Sequence, residues 1–394
     1  MTLIVAETVS AILERFEPQL RAIVLTGSMA RGEATFVEVP GGWDTLGDCE
    51  MVLVFKSHEP LPRSIEVGDM QTEIALRLQQ RCVACPIGLS PVHPNYLVTL
   101  PPRIYGYELR TCGRVVWGDT TILASIPAFS PRDIPLEDAW RMICNRIIEQ
   151  LAVTHADAKQ TLINPHKANY RTAKLCLDLA TSLLLFCGEY APTYRERSAR
   201  LQRLSDKMAT KDGLPFPLRP FAALVDKLTC WKLSPSSGVL DREPFLLPRV
   251  WDYARRLWRW ELLRLTAGQK GLPDSDLMRG WMRSQPLHGR IRSWARLARK
   301  NGGLSSWQEW PRWVRLGLRS SPRYWIYAAG SELFFRIPSL AGEVTGACPD
   351  RSLQTWREWL PVRPKQAAGT PISWNQLASE VTWNYRQFLM ETIA

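Results

Sequence analysis

The 394-residue sequence has no apolar run of the ~18–20 residues that a helix needs to cross a bilayer. Its longest candidate, around Leu183 to Cys187, reads as the buried core of a helix. The opening MTLIVAETVSAILERF has no basic start and carries Glu7 and Glu14, so it does not read as a secretory signal. Nine cysteines, odd in number and scattered, make no disulfide framework. Cys82 and Cys85 are the one close pair, and with no second pair at zinc spacing they read as strand thiols. A reducing, cytoplasmic compartment is the expectation. Internal repeats, low-complexity tracts, zinc knuckles and RNA-binding motifs are also lacking.

What is present is a chain with 45% hydrophobic residues, enough to bury a core, and a length that suits two or three domains. The formal net charge is +12. Residues 251–325 hold 16 Lys and Arg against 5 Asp and Glu, a surplus of 11, together with 9 of the 17 tryptophans. Three readings of that stretch stand side by side. Large aromatics form a helical core with Arg stems stacked over them; or cations and aromatics form a nucleic-acid surface; or basic amphipathic helices lie on an anionic membrane surface.

The chemistry concentrates in LTGSMARGEATFVEVPGGWDTLGDCEMVLVF, residues 25–55. The apolar residues Ile23, Val24 and Leu25 predict a buried strand, and Gly27-Ser28 follows at once with Ala30 and Arg31 in a first helical turn. A strand that breaks at Gly-Ser offers backbone N–H groups and a hydroxyl to an anion such as phosphate. Asp48-Cys49-Glu50 then opens a second apolar strand, so both acids share one face. Burying two unpaired carboxylates is costly, which suits a pair that holds Mg²⁺ against phosphates.

At these residues the sequence resembles the DNA polymerase β-like nucleotidyltransferase superfamily, in the GSxARG form of small-molecule and antibiotic nucleotidyltransferases, over about the first 125 residues. The resemblance implies Mg²⁺ or Mn²⁺ at Asp48 and Glu50, a nucleoside triphosphate at Gly27, Ser28 and Arg31, and a third acid on a later strand. The gap between Ser28 and Asp48 is long for the family, with Pro40-Gly41-Gly42-Trp43 suggesting an inserted hairpin or loop. The third-acid strand falls on 83–92, where the candidate positions are Gly88 and Ser90. Asp69, Glu108 and Asp119 are the nearby alternatives, and Glu108 is taken as the third catalytic acid. For Arg31 a surface pair with Glu33 is the competing assignment.

The expected fold is α+β: an N-terminal mixed sheet with flanking helices over 1–126, a helical closing domain over 134–248, and a basic, Trp-rich helical region over 249–394. Residues 136–153 and 168–187 repeat apolar positions at helical spacing, as in a bundle. Similarity to the helical domain that follows the catalytic domain in small nucleotidyltransferases makes Lys174, Tyr194, Arg195 and Arg197 candidate phosphate or acceptor contacts, with a solvated helix face as the alternative. The implied activity is transfer of a nucleoside monophosphate from an NTP to a hydroxyl of a small-molecule or protein acceptor. Two alternatives are a degenerate nucleotide-binding or scaffold module and a polymerase acting on nucleic acid. An anionic partner, nucleic acid or membrane surface, is assigned to 251–325.

Overall fold

The computed structural model describes residues 1–155, 165–208, 213–235, 246–266, 271–300, 308–336, 351–363 and 372–390. Residues 236–245 of the proline-rich connection, and 267–270 and 301–307 of the Trp-rich region, lie outside the described residues.

The chain is α+β, with its sheet confined to the N-terminal part. Helix α1 (Thr2–Phe16) precedes β1 (Leu20–Thr26), which runs into the one-turn α2 (Gly27–Ala30); the alternating residues of β1 split between two faces. Ile23 and Leu25 pack with Met51, Leu53 and Phe55 of β4 (Cys49–Phe55) under α1 and α3 (Ser64–Gln80). Ala22 and Val24 pack with Val52 and Val54 against the other layer, which includes Leu97, Leu100 and Leu109. Burial on both faces explains why these strands read as continuous apolar runs rather than as alternation. The rings of Phe16 and Phe55 meet edge to face at 5.5 Å.

The main sheet runs β6-β4-β1-β7, where β6 is Ile87–Val92 and β7 is Arg114–Gly118. β1 is antiparallel to both neighbours, and β4 is parallel to β6. A second sheet joins the hairpin β2 (Phe36–Val39) and β3 (Gly42–Thr45) to the short β5 (Val83–Ala84). The hairpin occupies the long gap expected around Pro40 to Trp43. The single strand expected over 83–92 is two strands in different sheets. Pro86 separates them, its carbonyl accepting from the N–H of Cys49 at 2.9 Å.

Between β6 and β7 come α4 (Pro94–Val98) and α5 (Ile104–Cys112). The helical part follows: α6 (Leu136–His155), α7 (Pro165–Phe186), α8 (Tyr194–Lys207), α9 (Leu218–Leu233), α10 (Leu246–Thr266) and α11 (Asp274–Ser284). It continues through α12 (Leu287–Lys300), α13 (Trp310–Gly317), α14 (Pro322–Phe334), α15 (Arg351–Trp359) and α16 (Trp374–Tyr385). Gly188, at φ +73°, closes α7 in the left-handed conformation that glycine adopts without strain.

α14 is buried on nearly every side, and a Cβ on Gly330 would meet Ile148 Cδ1 at 3.1 Å and Val381 at 3.5 Å. One core therefore runs from Trp140 on α6 to Tyr385 on α16, across position 248/249. Among the described tryptophans of 251–325, Trp258, Trp281, Trp294, Trp313 and Trp325 are buried in it, while Trp310 is exposed.

Candidate active site

β1 ends with Thr26 opposite Glu50 on β4, so the Gly-Ser turn and the Glu50 carboxylate are set side by side by strand register. Gly27 has φ +67°, and a Cβ there would lie 3.1 Å from the carboxyl carbon of Glu50 and collide with its Oε2. Only glycine allows that approach. The turn then closes on itself: the N–H of Glu33 donates to the carbonyl of Ser28 at 2.8 Å, and that of Gly32 to Met29 at 3.1 Å. A Cβ on Gly47 would be 3.7 Å from Ser28 Oγ and 3.3 Å from the hydroxyl of Tyr170. Ser28, Gly47 and Tyr170 thus converge where α7 crosses the mouth of the turn.

Asp48 is exposed and Glu50 half-buried. Neither carboxylate takes a hydrogen bond or ion pair among the described residues. Burial pushes the Glu50 carboxyl up to about 6, and the charge of Asp48 adds to the rise; Lys174, Arg31 and Arg146 pull it back. Lys174 of α7 therefore lies within electrostatic reach of Glu50.

The parallel register of β4 and β6 pairs Glu50 with Gly88 and Val52 with Ser90. A Cβ on Gly88 would stand 3.7 Å from Glu50 Cγ, so the strand position beside the acid pair carries no side chain. Glu108 does not fill it. Its Oε2 accepts from Arg31 Nη1 at 2.7 Å, and its Oε1 accepts from the Tyr190 hydroxyl at 2.6 Å and from Arg197 Nη2. Asp119 lies at the other end of β1, bonded to Arg21 at 2.8 Å, and Asp69 is on the exposed side of α3. Among the described residues no group of three or more His, Cys, Asp or Glu side chains gathers as metal ligands. Cys82 is an exposed thiol and Cys85 a buried one.

Arg31 is buried, joining Glu108 to Glu33 at 3.3 Å, so the pair with Glu33 exists but not on the surface. Its guanidinium lies 5.7 Å from the centre of the Tyr194 ring. Arg195 contributes its backbone and not its side chain: the N–H groups of Tyr194 and Arg195, opening α8, donate to the Glu33 carboxylate at 3.0 and 3.1 Å, while the Arg195 guanidinium is exposed. A buried carboxylate on the first amides of a 14-residue helix is held by hydrogen bonds and dipole together. Arg197 stacks over Tyr190 and Tyr194 at 5.1 Å each.

Lys232 was not singled out in the sequence. It is fully buried, donating to the carbonyl of Glu33 at 2.7 Å and to Thr35 Oγ1 at 3.3 Å, while Thr35 donates back to its carbonyl at 2.9 Å. Burial, with the charges of Lys174 and Arg31 behind it, lowers its amine to about 7. A lysine near the end of an apolar helix carries no local mark of this. Partners nearly 200 residues away decide it.

No protein-family model matches the chain, and no curated protein matches it by sequence. One similar solved structure is a spectinomycin adenyltransferase from Enterococcus faecialis, determined with ATP and spectinomycin. It is 11% identical, with a TM-score of 0.37, and the match covers 65% of this chain and 99% of that one.

Proposed function

We propose that the protein transfers a nucleoside monophosphate from a nucleoside triphosphate to an acceptor hydroxyl. The observation that carries this reading is the contact of Gly27 with Glu50, which brings the Gly-Ser turn against one of two adjacent carboxylates. Two adjacent carboxylates, one raised by burial and by its neighbour and neither neutralised by a direct ion pair among the described residues, fit a divalent cation. Asp48 and Glu50 would hold Mg²⁺ or Mn²⁺, which when bound supplies charge neutralisation at the attacking and leaving oxygens.

The chain's own groups do the positioning. Backbone N–H groups at Gly27 and Ser28 and the Ser28 hydroxyl receive the phosphates, with Lys174 adding positive charge from the helical side. Arg31 supports the turn from below, fixed by Glu108 and Glu33, and is not itself a phosphate ligand in this arrangement. Gly88 leaves space beside Glu50 for the acceptor. With no carboxylate on β6, the acceptor's proton passes to solvent or to a phosphate oxygen.

The bare Gly88 position also favours a second reading, a protein that binds nucleotide and does not turn it over. One experiment separates the two. The purified protein is incubated with each labelled NTP and Mg²⁺ or Mn²⁺, with and without cell extract, and pyrophosphate release and labelled product are followed. Turnover supports transfer; metal-dependent binding without turnover supports the second reading; no metal-dependent binding of any NTP overturns both.

A further inference from the structure

Helices α12 and α13 pack closely along their inner faces. Trp294 and Leu297 of α12 and Trp313 and Leu316 of α13 are buried. A Cβ on Gly317 would lie 3.1 Å from the Trp294 ring. Trp294 Nε1 donates to the carbonyl of Ser320 at 2.8 Å, and Arg290 Nη1 to that of Leu318 at 2.9 Å. These bonds fix the two outer faces relative to each other.

Both helices also carry large apolar side chains that are open. Leu287 and Ile291, one turn apart on α12, are 58% and 61% exposed; Val314 and Leu318, one turn apart at α13, are 61% and 69% exposed; Trp310 is 42% exposed. Exposed arginines surround them: Arg283, Arg292, Arg296, Arg299, Arg315 and Arg319. From 277 to 331 there are eleven Lys and Arg and one acid, Glu309, which bonds to Arg312 at 2.9 Å.

Four exposed aliphatic side chains and one tryptophan, on two helices packed together and interspersed with exposed cations, match the chemistry of a bilayer interface. Aliphatic groups give nothing to stack on a base, so a nucleic-acid surface would leave their exposure unused. We propose that the α12–α13 face docks on an anionic lipid surface, with both helices lying in its plane and Leu287, Ile291, Val314, Leu318 and Trp310 entering the headgroup layer. Among the described residues no helix is long and apolar enough to cross a membrane, so the contact is peripheral.

The test uses the full chain in co-flotation with vesicles of phosphatidylglycerol and phosphatidylcholine in equal parts, beside vesicles of phosphatidylcholine alone. Binding is expected on the anionic vesicles only, weakening as salt rises from ~0.1 to ~0.5 M. I291S/L318S and, separately, R292Q/R296Q should each reduce it about tenfold or more, with circular dichroism and melting temperature unchanged because all four side chains are exposed. No binding to anionic vesicles, equal binding to both vesicle types, or full binding by I291S/L318S would overturn the proposal. So would tight binding of a single-stranded oligonucleotide that R292Q/R296Q weakens and I291S/L318S does not.

Discussion

Replacing Gly27 with alanine separates what the turn contributes to stability from what it contributes to the site. Two costs arise. The backbone at φ +67° is left-handed, and a Cβ there costs about 1–2 kcal/mol. The new Cβ also collides with the Glu50 carboxylate. That collision is relieved by a turn of the Glu50 side chain, whose far end is its mobile part, so the added stability cost is small. The functional cost is not, because the carboxylate must leave the face it shares with Asp48. G27A should therefore lower the melting temperature by only a few degrees, as about 1–2 kcal/mol does in a large domain. Metal-dependent NTP affinity should fall at least about tenfold, and any transfer rate by about 100-fold, the scale of a 1 Å misplacement. Calorimetric titration of NTP with and without Mg²⁺, beside a thermal melt, reads both. A folded G27A protein with unchanged Mg²⁺-dependent affinity would refute the assignment of Glu50 to the site.

D48N/E50Q should abolish metal-dependent NTP binding and leave the metal-free protein as stable or about 1–2 kcal/mol more stable, since the raised Glu50 carboxyl marks an unfavourable charge; denaturation with and without Mg²⁺ checks it. G88D adds a third carboxylate where a Cβ has room, so Mn²⁺ affinity should rise about tenfold by titration while the metal-free form melts lower; unchanged affinity would place the metal elsewhere. For Lys232, the folded amine at about 7 lies below the usual ~10.4 of the unfolded chain, so between those values the unfolded chain holds the extra proton and stability rises with pH. The unfolding free energy should climb between pH ~7 and ~9 by up to ~1.4 kcal/mol per pH unit more in the parent than in Lys232→Met, read from denaturant titrations at each pH, and equal slopes would show that the amine is not desolvated.

That the Gly-Ser turn and Glu50 are neighbours was legible because a turn at the end of β1 and an acid at the start of its antiparallel partner are adjacent by construction, Thr26 pairing with Glu50. The vacancy at Gly88 was legible for the same reason, through the next strand. Lys174 was marked by the resemblance of its segment to a helical closing domain, and its charge acts on the carboxyl of Glu50. Glu108 was misread because its helix carries no signal of facing inward; Arg197 and Tyr190, more than 80 residues on, claim its oxygens. The break at Pro86 was also hidden, since Val83 to Val92 has one apolar character although its halves serve different sheets. The common core of α6 to α16 could not be read from helix periods, which show that a face is buried and not which helix covers it.

The Glu33 and Lys232 tie has a mechanical consequence. Glu33 leaves the Gly-Ser turn and grips the first amides of α8, while Lys232 returns from α9 to the carbonyl of the same residue. Pulling the lobes apart at this point would strand a carboxylate and an amine that both lie in the dry interior. The tie therefore pins the two parts to each other at Glu33. On the function proposed above, an opening for nucleotide would turn about Glu33 and be widest away from it, on the side of Tyr170 and Ser28. A crosslink on that side would then block entry or release, whereas one placed beside Glu33 would change little.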